Sequence, residues 1–191
     1  MVWIIQSSRI KVREVTRDDA EIFLNWWNDP QVMKDVGFDE GLKLTYDQVH
    51  EQFLKRVKQE SNKASKLWIV FDNDNHPIGE FSYGEHDDDE RSCRIGLKIC
   101  DVKAQGKGLG KHLLLQGMQY LFSTLDYHKI YIDTLTTNKR AIQLYQKNSA
   151  TTLEIKKGFW TNPQDVVYDA IFFEYLRDNF NQYTLENNIR F

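Results

Sequence analysis

Lys98-Ile99-Cys100-Asp101-Val102-Lys103-Ala104-Gln105-Gly106-Lys107-Gly108-Leu109-Gly110-Lys111 is the stretch on which the fold turns. It begins as the end of an apolar strand, Arg94 to Cys100, crosses a short polar link and continues into a helix. Three glycines at alternate positions leave the backbone bare, so a ligand can approach it closely. The helix behind them directs its first free N–H groups and its positive dipole end into the turn. A strand–loop–helix unit of this kind is a site for phosphate or pyrophosphate.

Two look-alikes fail. A nucleoside-triphosphate loop needs G-x-x-x-x-G-K-[ST], but Gln105 stands where the first glycine belongs and His112 where Ser or Thr belongs. A dinucleotide fingerprint needs a third glycine where Lys111 stands. What remains is Q-x-x-G-x-G, Gln105 to Gly110. It resembles the pyrophosphate-binding motif of the GCN5-related N-acetyltransferases, the GNAT family, whose members hold acetyl-coenzyme A there. On this motif alone, a glycine-rich turn without a ligand stays open.

The chain around the loop is ordinary in composition. Its 191 residues suit one domain, residues 1–191, with a sizeable core. A net charge of −3 gives no general affinity for nucleic acid. No apolar run approaches a membrane span. Cys93 and Cys100 are seven apart on one expected strand, so alternation puts them on opposite faces where they cannot bridge. A reducing cytoplasm suits that cysteine usage, and Met1 to Ile5 does not read as a signal peptide.

Periodicity predicts a first strand at Arg9 to Val15 and a helix from about Asp18 to Trp27, with N-cap candidates in Thr16 to Asp19. Asn28-Asp29-Pro30 stops that helix. Gln31 to Leu44 is irregular, and a second helix runs from Thr45 to about Gln59 with Val49, Phe53, Leu54 and Val57 at helical spacing. Leu67 to Phe71 and Ile78 to Tyr83 read as a hairpin. The acidic run Asp87 to Glu90 precedes the central strand, Cys93 to Cys100. His128 to Thr134 is a strand, Asn138 to Lys147 a short helix, and Thr151 to Lys156 and Val166 to Tyr175 two closing strands. The polar tail, Arg177 to Phe191, is expected to fray or to dock on a partner.

This order gives an α/β fold and is the element order of the GNAT fold. The resemblance implies a mixed, mostly antiparallel sheet with helices on both faces, splayed between the Cys93–Cys100 and His128–Thr134 strands. A second segment strengthens it. Asn138-Lys139-Arg140-Ala141-Ile142-Gln143-Leu144-Tyr145-Gln146-Lys147 is similar to the family's N-x-x-A-x-x-L-Y-x-K. The resemblance gives Asn138 a contact with the coenzyme and places Tyr145 near the thioester sulfur.

The implied reaction is direct attack by an amine on acetyl-CoA. Tyr145 is the candidate acid for the departing thiolate, because a phenol of pKa about 10 stays protonated at neutral pH. Its alternative is an amphipathic-helix residue filling a groove. A backbone N–H near Ile99 or Cys100 is the candidate oxyanion donor. The strand end Lys98-Ile99-Cys100 would pair its main chain with the pantetheine arm. Gln105, Gly106, Lys107, Gly108, Leu109, Gly110 and Lys111 would hold the pyrophosphate, with Lys103 a weaker candidate.

No carboxylate lies on the central strand from Ser92 to Ile99, where some family members carry a glutamate. Glu80 and Asp101 are weak candidates for the base, and a surface strand residue is the plainer reading of Glu80. Asn148-Ser149-Ala150 replaces the family's usual Gly-Phe pair after the helix. An acetyl-cysteine route through Cys100 is conceivable, though a buried strand cysteine is the simpler reading. The five histidines show no metal-ligand spacing, so no metal is expected, and no nucleophile elbow occurs.

For the acceptor, Trp26-Trp27-Asn28-Asp29-Pro30-Gln31-Val32 resembles the W-x-N-D-P-x-V segment of the RimJ/RimL branch, which acetylates protein N-termini. The loop and its spacing to Tyr145 are also similar to spermidine N-acetyltransferases, and aminoglycoside 6′-N-acetyltransferases share the early tryptophan-rich helix more loosely. The acceptor is therefore expected to be a protein N-terminus or a small cationic amine, and the acidic run is either a lure for such a cation or a solvated hairpin. A non-catalytic acyl-CoA-binding regulator and a ligand-free interaction module are the rival readings, and exposed strand edges allow a homodimer.

Overall fold

The apolar runs of the sequence become one sheet because each strand offers a hydrophobic side to a helix. The structure is a computed structural model that describes residues 2–58 and 65–191, with backbone only at 55–58. Gln59, expected at the end of the second helix, therefore lies outside what it describes, and Val57 is described as helical backbone only. The strands are β1 (Ile5–Gln6), β2 (Lys11–Glu14), β3 (Lys66–Phe71), β4 (Pro77–Asp87), β5 (Ser92–Ile99), β6 (Lys129–Leu135), β7 (Thr151–Thr161) and β8 (Val167–Leu176). The helices are α1 (Ala20–Asn28), α2 (Pro30–Met33), α3 (Tyr46–Lys58), α4 (Leu109–Ser123), α5 (Lys139–Gln146) and α6 (Arg177–Glu186).

The order across the sheet is β1-β2-β3-β4-β5-β6-β8-β7. Every pairing is antiparallel except β5 with β6. That parallel pair holds only at Ser92↔Lys129, Cys93↔Ile130 and Arg94↔Tyr131. β5 then runs on to Ile99 and β6 to Leu135 without pairing, so the sheet opens where the resemblance implied.

Alternation sorts the side chains onto two cores. Trp68, Val70, Cys93, Ile95, Ile130, Ile132, Ile171 and Phe173 pack on one face with Leu113, Leu114, Met118 and Phe122 of α4 and Phe180 of α6. Leu67, Ile69, Phe71 and Cys100 pack on the other with Phe23 and Trp27 of α1, Val32 and Met33 of α2, and Val49 and Phe53 of α3. The two cysteines thus lie on opposite faces, and both are free thiols.

Local chemistry fixes the entry to α1. Arg13 grips Asp19 with two donors at 2.6 and 2.7 Å, and Asp19 accepts from the Thr16 N–H at 2.7 Å. Burial alone would raise the Asp19 pKa, but the Arg13 donors and the Thr16 N–H outweigh it and hold the carboxyl below its ordinary 3.8. At the other end the tail does not fray. α6 buries Phe180 against Phe122, and Tyr183 donates to Asn148 Oδ1 at 2.9 Å. Polar composition hid one apolar residue that docks the whole helix. Among the described residues, no helix is long and apolar enough to cross a membrane.

Candidate active site

The opening between β5 and β6 holds a cleft of about 680 Å³. Gly106, Gly108, Leu109, Gly110 and Lys111 border it, as do Ala141, Leu144 and Tyr145 of α5 on the face that α4 covers. Val32, Asp35, Phe38, Glu80, Lys98, Asp133 and Trp160 border it from the other face. The cleft thus passes through the sheet, and two reactants can reach one gap from opposite sides.

At the glycine loop, Gly106 and Gly108 have φ of +73° and +78°, which L side chains rarely adopt. Gly108 is the N-cap of α4 and makes no side-chain cap. The first intrahelical bond is His112 N–H to Gly108 O at 3.1 Å. The N–H groups of Leu109, Gly110 and Lys111 are therefore without helical partners, beside the positive end of a fifteen-residue helix. This is an anion cradle.

Two contacts that sequence reading did not find hold the loop. Arg9 donates to the Lys107 carbonyl at 2.6 Å, and Ser7 Oγ lies 2.8 Å from His112 Nε2. Burial, then the Arg9 charge, lowers the His112 pKa and favours a neutral ring. Both contacts come from the β1–β2 turn, about a hundred residues upstream, so no local motif announces them. Lys111 borders the cleft, whereas Lys107 and Lys103 do not.

Gln105 has a structural place. Its Nε2 donates to Ile99 O at 2.8 Å, and its Oε1 accepts from Arg140 at 3.2 Å. It pins strand end, loop and α5 together. The ladder also divides the expected trio Lys98, Ile99 and Cys100. Cys100 N–H is bonded to Ile78 O at 2.8 Å, and Lys98 stands opposite Glu80 two residues earlier in the same antiparallel ladder. Alternation then directs the main chain of Lys98 and Cys100 to β4, and that of Leu97 and Ile99 to the gap. The main-chain pairing expected of Lys98 and Cys100 is corrected accordingly. Leu97, which the sequence reading omitted, has the right orientation.

Asn138 caps α5 through its Oδ1, which accepts from Ala141 N–H at 3.1 Å, while its Nδ2 donates to Asp35 O at 3.4 Å. Its side chain borders the cleft but is already partnered within the protein. Tyr145 is 5% exposed, with its ring edge-on to Phe173 at 5.6 Å. Its hydroxyl makes no hydrogen bond among the described residues. Burial, then the Asp133 charge, pushes its pKa up, so the phenol stays protonated. Beyond α5, Ser149 has φ of +71° where the family usually has glycine. The left-handed helix stop is kept without the glycine.

Glu80, Asp101 and the acidic run each take a definite place. Glu80 is not a surface strand residue. It is half-buried in the cleft wall, with Lys98 Nζ at 3.0 Å and Trp27 Nε1 at 2.9 Å. Asp101 caps a short 3-10 turn by accepting from Lys103 N–H at 2.9 Å. The acidic run lies at the β4–β5 turn. The ladder from Asp87↔Ser92 to Gly79↔Ile99 puts it at the far end of β5, seven residues or about 23 Å from the Ile99 end that leads toward the glycine loop. Glu90 there is engaged by Lys129 and Tyr131. The run is a solvated hairpin and not a lure at the cleft.

Burial raises the Cys100 thiol well above its ordinary range, and Cys100 is packed in the second core outside the cleft lining. A buried thiol of that kind is no ready nucleophile. The one grouping of metal-type donors among the described residues, Asp72, Asp74 and His76, sits on the exposed β3–β4 turn. Asp72 there already accepts from two backbone N–H groups, and none of the three borders the cleft.

Residues 9–151 match the family described as acetyltransferase (GNAT) domain. The chain belongs to the GNAT family. It is an acetyl-CoA-dependent N-acetyltransferase. The chain is 28% identical to acetyltransferase PseH of Campylobacter jejuni over 77% of its length and 86% of that protein. It is 26% identical to spermidine N(1)-acetyltransferase of Vibrio cholerae, over 74% and 78% respectively. The crystal structure of the Vibrio cholerae spermidine N-acetyltransferase with CoA and spermine superposes with a TM-score of 0.80 at 23% identity, covering 92% of this chain and 99% of that one. At that identity the superposition speaks for the fold.

Proposed function

We propose that this GNAT enzyme transfers acetyl from acetyl-CoA to a primary amine by direct attack within the opened sheet. The observation that carries the reading is the cleft itself, with an anion cradle on one side and a separately walled chamber on the other. The coenzyme phosphates lie at the first turn of α4, and its arm runs along the β5 edge that Leu97 and Ile99 present. The Ile99 N–H receives the oxyanion charge that develops on the acetyl oxygen. The amine enters from the face that Glu80 and Trp160 border, its nitrogen bonds to the acetyl carbon, and the carbon–sulfur bond breaks. Tyr145 gives its proton to the leaving thiolate, and the proton that the acylated nitrogen sheds passes back to the Tyr145 phenolate, so no net proton is gained or lost.

The acceptors to be weighed are a protein N-terminus, a polyamine and an aminoglycoside. The relative named for spermidine acetylation favours a small amine. A non-catalytic acyl-CoA-binding regulator is the second reading. What favours it is that the one carboxylate deep in the cleft wall, Glu80, already holds two donors. β7, the free sheet edge with exposed Leu153 and Ile155, is where a homodimer would form.

Melting with and without acetyl-CoA, followed by free-thiol release against amines, tests the proposal. A coenzyme-dependent rise in midpoint with amine-dependent thiol release supports it. A rise without release on any amine moves the regulator forward, and no rise at millimolar coenzyme removes both.

A further inference from the structure

The acceptor side of the cleft discriminates among the amines left open above, on the reading that the enzyme is an N-acetyltransferase. Three carboxylates border the cleft among the described residues: Asp35, Glu80 and Asp133. None is free. Glu80 and Lys98 pair at 3.0 Å with side chains only 15% and 18% exposed. Asp133 holds Arg94 at 2.6 Å. Asp35 lies 3.5 Å from Arg140 in a looser, more exposed pair. A polyamine carries several ammonium groups, and holding them takes carboxylates that are not already neutralised. Here a second or third ammonium meets a cation already in place. The Lys98 charge also favours the neutral form of an entering amine, which is the form that attacks.

What the chamber offers instead is a fixed aromatic wall. The Trp160 ring packs edge-on to Phe38 at 4.8 Å and stacks on Tyr168 at 5.7 Å. It presses on the backbone at Gly37, where a Cβ would come within 2.3 Å of the ring. Asn162 Nδ2 donates to Gly37 O at 3.2 Å and Tyr168 donates to Asp39 at 2.9 Å. These ties join the β7–β8 hairpin to the segment after α2, so the wall stands before any acceptor arrives, which lowers the ordering cost of binding.

We infer that the acceptor is a single primary amine carried on an uncharged body with a ring that offers an apolar face, seated against Trp160 and Phe38, and not a polyamine. An aromatic ring and the C–H face of a sugar ring share that chemistry.

The test is thiol release with tyramine, glucosamine, spermidine and a short peptide with a free N-terminus, each at low salt and at about 0.3 M salt, where surface attraction is screened. The expected result is that tyramine or glucosamine exceeds spermidine and the peptide in kcat/KM by about tenfold or more, with a KM that salt barely moves. Whichever of the two leads identifies the ring. Trp160→Ala should raise that KM by about tenfold while leaving the melting shift given by acetyl-CoA intact.

Because Trp160 is wedged in place, a second variant guards against misfolding. Lys98→Met frees Glu80 and should lower the spermidine KM by about tenfold. Spermidine or the peptide as best acceptor of the unaltered enzyme overturns the inference, as does release with neither ring amine while acetyl-CoA still raises the midpoint. Loss of the acetyl-CoA shift itself would instead strike at the acetyltransferase reading.

Discussion

The two ends of the cleft are built by different routes. The end proposed for the coenzyme is bordered by two short runs, 105–111 and 138–145, and what the glycine loop offers is backbone geometry: glycines at positive φ, N–H groups without helical partners and a helix dipole. The acceptor end gathers Phe38, Glu80, Lys98, Asp133 and Trp160 from five separate segments, and there side chains do the work. A shared cosubstrate can be held by backbone, which tolerates change in most side chains. An acceptor must be told from its competitors, and that takes side-chain shape and charge. Substitutions at the two ends should therefore separate coenzyme affinity from acceptor KM.

The largest effect is expected where the ends meet. Tyr145→Phe removes only a hydroxyl without a hydrogen-bond partner, so stability should hardly change. Loss of a general acid typically costs about 10²- to 10⁴-fold in turnover. The expected outcome is a fall in kcat of at least that lower size in single-turnover kinetics, with an unchanged melting temperature and coenzyme affinity. A variant with full turnover would leave Tyr145 as groove filling.

The contrast also explains what could be read from the residues. Contiguous motifs carry spacing, so the loop, the strands from β2 to β8 and α5 were legible in the sequence, and so was the splay through the family resemblance, while the two-residue β1 was not. Glu80 was not, because an alternating strand gives no sign that one of its polar positions faces a gap and not solvent. Trp160 and Phe38 meet only after β7 and β8 fold back on the segment following α2. α6 was missed because ten residues that read as polar are docked mainly by Phe180. Arg9 holds the loop across 98 positions of sequence. Each miss is a contact that local periodicity does not encode.

Gly108→Val should strike one end alone. A β-branched residue at φ +78° strains the backbone by about 1–2 kcal/mol, or roughly five- to thirty-fold in affinity if the loop shifts to relieve it. Calorimetry should show acetyl-CoA binding weakened by about that factor, with acceptor KM at saturating coenzyme unmoved. Trp27→Phe is the mirror experiment. It removes the indole N–H that holds Glu80 at 2.9 Å, a hydrogen bond to a charged group worth about 1.5–3 kcal/mol in stability terms. Part of that loss should appear as an acceptor KM raised several-fold, with coenzyme affinity unchanged. If either variant moved both quantities equally, the two ends would be one coupled unit.

The smallest expected effect is an absence of curvature. Burial, with the Asp133 charge behind it, raises the Tyr145 pKa, and a raised phenol pKa keeps the proton-donating form filled to higher pH. An ordinary phenol titrates near pH 10, so no alkaline loss from this group is expected below that point. The amine must lose its proton before it attacks, and a free aliphatic amine does so near pH 10 as well. kcat/KM should therefore climb steadily from about pH 6 toward pH 10 without a descending limb. A bell with its upper pKa near 8 or 9 would mean that the acid ionises early, as a solvated or cation-paired group does. The proton would then have to come from somewhere less buried than Tyr145, and the acid would belong to the acceptor chamber instead of the coenzyme side of the gap.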